Sequence, residues 1–228
     1  MASNGYAIGA SQESPSTEPG KGYFMENGRC GTGMWSLDVA KRFFSRGDSL
    51  IHGVDLSTLM QASQIYPNNK FEAMDIEEPW HTDNRQNRAL VPGTGWIEHV
   101  EVDWNPYNDT GPVSPRLRYW IDELFDAMDQ IKRPLRLDPP ATQQALANAG
   151  FVDIKQEVLH MFVNGGAINP YDIDVGRWFN LCLHKSFMNI SLAPFFRVKK
   201  WKPEQIEQLK EDVLDEIGER NNRSYCKL

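Results

Sequence analysis

Gly31 and Gly33, separated only by Thr32, and the carboxylate of Asp55 form the stretch of this chain best suited to holding a ligand. Glycines at such a turn can take positive φ and let a ligand come close to the backbone. A carboxylate at the end of the second strand of a doubly wound sheet accepts hydrogen bonds from ribose hydroxyls, with the glycine turn beneath the same ligand. Glycines also cap helices and make ordinary turns. The reading therefore rests on the ordered combination of turn, helix, strand and acid.

The elements that must position this set are legible around it. Trp35, Val39 and Phe43 recur at every fourth residue, with Leu37, Ala40 and Phe44 beside them, which predicts a helix directly after the turn. Arg46-Gly47-Asp48 interrupts the pattern, and Leu50-Ile51-His52-Gly53-Val54 predicts a short strand that delivers Asp55 at its carboxyl end. Leu56 to Ser63 reads as a short helical connection, and Phe71 to Asp75 as a third strand and its end. Trp96 to Trp104 alternates as a strand does.

Further on, Arg116 to Ile131 carries Leu117, Trp120, Ile121, Leu124, Phe125 and Met128 on one broad helical face. Thr142 to Ala149 predicts a helix that Gly150 can end, and Phe151 to Phe162 a strand. Asp174 to Met188 predicts a helix bearing Trp178, Phe179 and Phe187. Pro203 suits the first turn of an amphipathic helix with Ile206, Leu209, Val213, Leu214 and Ile217.

Length and composition bound the answer. A chain of 228 residues with 40% hydrophobic content fits one domain with a sizeable core. Residues 1–22, rich in Ser, Gly, Pro and Glu, read as a disordered tail, leaving 23–228 as the domain. No run approaches the roughly 18 apolar residues of a membrane helix. A net charge of −7 argues against direct nucleic-acid binding. Cys30, Cys182 and Cys226 are too scattered for a disulfide framework or a zinc site, and the five histidines show no metal-ligand spacing. His52 and His99 read as strand residues and His184 as a helix residue. Glu98, Glu101 and Asp103 read as solvated or salt-bridged carboxylates, so no catalytic residue is assigned.

Taken together, CGTGMWSLDVA, GVDLS, FEAMDIEEPW, PGTGWIEHVEVDW and SLAPFFRV resemble the S-adenosylmethionine-dependent class I methyltransferases, and more narrowly the fungal LaeA-like group named for the velvet-complex regulator of secondary metabolism. The resemblance runs, with gaps, from about Tyr23 to about Gly218. It implies an α/β, Rossmann-like class I methyltransferase fold, incomplete here, with helical insertions over the acceptor side. It also implies S-adenosylmethionine as donor: Gly31 and Gly33 beneath its methionine part, Asp55 on the ribose hydroxyls and Asp75 facing the adenine amino group. Trp120 and Phe125 would then either line an acceptor pocket or pack in the core.

A small molecule or a protein would be the methyl acceptor, with velvet-family proteins as partners and the nucleus or cytoplasm as location; the alternatives are a methyltransferase of small natural products or a binding or scaffold variant without turnover. Methyl transfer from a sulfonium releases a neutral thioether and needs alignment more than acid catalysis. The chain departs from the family pattern near residues 29/30 and 80–91. Asn27 and Arg29 stand where the family has an acid and its first glycine, and the long lead-in and first central strand are absent. That predicts a fold deprived of a buried strand, with only Tyr23, Phe24 and Met25 near enough to substitute.

Overall fold

The computed structural model describes residues 24–28, 31–44, 49–57, 59, 61, 66–75 and 97–228. The readings of residues 1–22, of Arg29 and Cys30, and of the gap at 80–91 lie outside these residues. The architecture is mixed α/β. It divides into a unit within Gly5–Val100 and a unit spanning Glu101–Leu228.

The first unit is a parallel sheet of three strands in the order β1-β2-β3: β1 (Phe24–Gly28), β2 (Leu50–Asp55) and β3 (Asn69–Ala73). Helix α1 (Met34–Phe43) joins β1 to β2. Its buried stripe of Leu37, Val39 and Ala40 is the face expected from the fourfold spacing, and Val39 and Ala40 pack with Ile51 of β2 against Trp35, Phe43 and Tyr66. The carbonyls left free at the end of α1 find side-chain donors: Asn68 Nδ2 reaches Ala40 O at 3.0 Å, and Ser49 Oγ reaches Phe43 O at 3.0 Å.

The expected loss of a first strand is corrected here. Phe24–Gly28 forms one, pairing in parallel with Leu50–Val54 in the place from which the chain enters the glycine turn. Five ladder positions are enough, and Asn27 and Gly28 enter as strand residues because they pair through the backbone. The helical connection expected over 56–63 is not formed among its described residues, which are bends and turns.

The second unit packs α2 (Pro115–Gln130), α4 (Pro170–Ala193) and α5 (Pro203–Gly218) around one core. A short helix α3 (Pro139–Asn148) buries none of its side chains. Trp120, Phe125, Phe187 and Phe195 are fully buried, Trp120 stacks on Phe187 with centroids 4.5 Å apart, and its indole N–H donates to Ser191 Oγ at 2.8 Å. The free amides at the start of α2 are satisfied from α5: Glu216 accepts from Arg116 N at 2.9 Å and Leu117 N at 3.0 Å. Helix α4 runs longer than the apolar pattern predicted, because Asn169 caps it by accepting from Asp172 N at 2.9 Å and Pro170 starts it. It passes into a π-helical turn at Pro194–Val198, where Pro194 has no N–H for the regular ladder.

Beside the helices lies an antiparallel sheet in the order β4-β6-β5, from β4 (Asp103–Tyr107), β5 (His160–Phe162) and β6 (Tyr225–Lys227). Two predicted strands are corrected. Residues 97–102 are not in a strand, so His99 is not a strand residue, and β4 starts only at Asp103. Its Pro106 is tolerated because, among the described residues, β4 is an edge strand paired with β6 alone. Of Phe151 to Phe162 only His160–Phe162 form the strand, with Leu159 exchanging backbone hydrogen bonds with Leu228 just before it, and Val152 stays exposed.

Two local features give testable expectations. Helix α4 rides against the chain after β5 so closely that a Cβ on Gly176 would overlap the Asn164 carbonyl oxygen and lie 2.9 Å from its carbon. Gly176→Ala should destabilise the protein by about 3 kcal/mol, the upper end of overpacking costs, because the obstacle is backbone. Urea unfolding measures it. Cys226 is buried, and burial, followed by the charge of Asp103, pushes its thiol up to about 12. A thiol reagent at pH 8 should label exposed Cys182 in the native protein and reach Cys226 only on unfolding.

Candidate functional site

The glycine turn, the acid and the third strand end come together at the carboxyl edge of the parallel sheet. Gly31 and Gly33 both have positive φ, +57° and +75°, the conformation that their sequence spacing anticipated. Gly33 is the N-cap of α1, and Leu37 N donates to its carbonyl at 3.0 Å, starting the helix. Asp55, half-buried at the end of β2, accepts a hydrogen bond from Gly31 N–H through Oδ2 at 2.8 Å. Its own carbonyl accepts from Met74 N at 2.8 Å, which binds the exit of β3 to the exit of β2. Asp75 follows as an exposed residue.

The turn has two unlike faces. A Cβ on Gly31 would meet no atom within 4 Å, so the backbone there is open to a ligand. A Cβ on Gly33 would overlap the Phe71 ring, with Cε1 at 2.5 Å. Gly31 is thus required for its conformation and Gly33 also for its neighbour. Gly33 provides no side-chain cap to the first turn of α1, and a helix start carries a partial positive charge that favours an anionic group. The arrangement sets a carboxylate acceptor, open backbone at Gly31 and the uncapped start of α1 near one another.

The sheet beneath carries its own polar group. His52 is buried with Nε2 3.2 Å from Glu72 Oε2, and burial followed by the charge of Lys70 lowers its pKa, so it is neutral at pH 7. Glu72 is itself lowered, chiefly by its hydrogen bond from Lys70 Nζ at 2.7 Å. This is a structural ion pair on β3.

Other residues singled out by the sequence resolve differently. Asp103, expected to be solvated or salt-bridged, instead accepts from Tyr107 O–H at 2.7 Å and Asn105 N at 3.0 Å; burial and the bond to Asp103 push the Tyr107 phenol up to about 12. Trp120 and Phe125 are core, so the pocket-lining alternative falls away. Phe179 lies beside Trp104 at 6.4 Å and Trp178 is exposed. Among the described residues no group of His, Cys, Asp or Glu could hold a metal ion. No described helix is long and apolar enough to cross a membrane. The residue that sequence reading passed over is Phe71, taken only as a strand position; its place opposite Gly53 shows only in the ladder.

No family model matches the chain, and no solved structure matches it. Among curated proteins, it is 40% identical over 141 residues to the "Protein-methionine methyltransferase laeA" of Chaetomium globosum, covering 61% of this chain and 44% of that protein. It is 31% identical over 226 residues to the "Secondary metabolism regulator laeA" of Gibberella zeae, covering 87% of this chain and 71% of the relative. The "Protein-methionine methyltransferase laeA" of Emericella nidulans is 30% identical over 231 residues, 91% of this chain and 60% of that protein. The chain thus spans less than half of the Chaetomium protein but most of the Gibberella one. On the breadth of these matches, it belongs to the LaeA-like family, whose named members are methyltransferases and regulators of fungal secondary metabolism.

Proposed function

We propose that this chain is an S-adenosylmethionine-dependent methyltransferase with a Rossmann-like class I donor site, taking part in the regulation of fungal secondary metabolism. One observation carries the reading: the 2.8 Å hydrogen bond from Gly31 N–H to Asp55 Oδ2. It joins, at the carboxyl ends of parallel strands, the turn and the acid that a nucleoside-bearing donor needs side by side. The family relationship supports the same chemistry.

In this reading Asp55 accepts from the ribose hydroxyls, using the carboxylate capacity that the Gly31 bond leaves. Gly31 offers its open backbone to the methionine part, Gly33 holds the turn at the head of α1, and Asp75, exposed just past β3, faces the adenine amino group. The donor supplies an activated methyl on a sulfonium, displaced in line with release of a neutral thioether. The protein's task is to hold donor and acceptor aligned, which is why a site without an acid–base pair suffices.

The acceptor is a protein side chain or a small molecule, the partners are velvet-family proteins, and the protein works in the nucleus or cytoplasm. Titration calorimetry of the purified chain with S-adenosylhomocysteine tests the donor reading. Saturable binding at one site supports it, and no binding at millimolar ligand removes it.

A further inference from the structure

We propose that Phe71 is the positioning residue of the donor site, its ring a floor that sets the glycine turn at the height where Gly31 N–H meets Asp55. The proposal rests on the donor reading above. Phe71 belongs to β3 but not to the core under α1, where Val39, Ala40 and Ile51 take in Trp35, Phe43 and Tyr66. Its ring lies against the turn: it occupies the space a side chain on Gly33 would need, with Cε1 2.5 Å and Cε2 3.3 Å from an added Cβ.

The ladder explains how the ring comes to be there. Phe71 is paired with Gly53, which contributes no side chain next to it, and Gly53 is paired on its other side with Asn27 of β1. A ring on β3 can therefore support the loop that leaves β1 and enters α1. The turn is then fixed at two points, by a hydrogen bond at Gly31 and by ring contact at Gly33. A ligand that needs the Gly31 backbone and the Asp55 carboxylate in one arrangement finds it already made, so less of its binding energy goes into ordering the turn.

The test uses the full chain and four proteins: wild type, Phe71→Leu, Gly33→Asn, and the pair together. Asparagine is chosen because it tolerates positive φ, so that Gly33→Asn probes the ring contact more than the backbone conformation. S-adenosylhomocysteine affinity is read by calorimetry and folding by thermal melting.

Phe71→Leu should weaken binding about fivefold with Tm shifted by only a few degrees, a split that a purely structural residue would not give. Gly33→Asn should weaken binding more than about tenfold, and adding Phe71→Leu should restore part of that loss, because the atoms that the new Cβ meets are gone. Wild-type affinity in Phe71→Leu, or losses that multiply in the double variant, would overturn the proposal. If the wild type binds no S-adenosylhomocysteine, the donor reading fails, and the melting temperatures still decide the contact: non-additive shifts keep Phe71 as the support of the turn, additive ones remove it.

Discussion

Asp55→Ala should weaken S-adenosylhomocysteine binding by at least about tenfold while leaving the chain folded. Hydrogen bonds to a charged group contribute about 1.5–3 kcal/mol each, and every 1.4 kcal/mol is about tenfold in affinity. Asp55 would lose its bonds to two ribose hydroxyls and also its hold on Gly31 N–H, now at 2.8 Å. The fold should survive because the β2 ladder runs through backbone atoms, and the Met74 N–H bond goes to the Asp55 carbonyl rather than its side chain. Asp55→Asn keeps an acceptor for Gly31 and should fall between wild type and alanine. Equal affinities for wild type and Asp55→Ala, read by calorimetry, would remove Asp55 from the site.

Trp120→Ala has the largest stability effect expected. Truncating a buried Trp typically costs about 3–5 kcal/mol, from lost apolar contact and the cavity left behind. Trp120 is fully buried, stacks on Phe187, meets Trp104 edge-on at 6.2 Å, and gives its N–H to Ser191, itself fully buried. Truncation therefore also leaves the Ser191 hydroxyl without its donor. Against the roughly 5–15 kcal/mol that holds a whole domain, that loss is a large share. Trp120→Phe keeps a ring against Phe187 and should cost clearly less. Urea unfolding separates the three proteins. An alanine variant as stable as wild type, with altered methyl transfer instead, would favour a pocket wall over the core position seen here.

Helices α1, α2 and α5 were readable because each buries one stripe and repeats it over successive turns. The faces of α1, α2 and α5 are those marked by Val39, Leu117 and Ile206 with their periodic neighbours. The turn was readable because few residues other than glycine accept the φ values found at 31 and 33, and Asp55 because it directly ends an apolar strand. Strands proved harder. β1 contains Glu26, Asn27 and Gly28, and only its five backbone pairings with β2 mark it as a strand. Alternation from Trp96 to Trp104 describes faces without saying whether a neighbour exists, and pairing begins only where β6 is reached, at Asp103. Phe71 was invisible as a site residue for a further reason: its contact with Gly33 crosses from one strand exit to another loop, and no local pattern records such a meeting.

The order β4-β6-β5 has a consequence for how the protein is made. Among the described residues β4 and β5 are joined through β6, which comes last of the three in the chain. A ribosome that has reached Asn222 has already synthesised both flanking strands, yet neither has its hydrogen-bonding neighbour. The nascent chain must carry their unpaired edges, with the apolar faces of α2 and α4, until residues 225–227 have emerged. Chains halted before Tyr225 would expose both strand edges and the apolar helix faces, and so be prone to aggregate. The second unit should accordingly depend on chaperones during synthesis more than its size suggests, and ribosome-bound intermediates halted before Tyr225 should remain protease-sensitive throughout that unit.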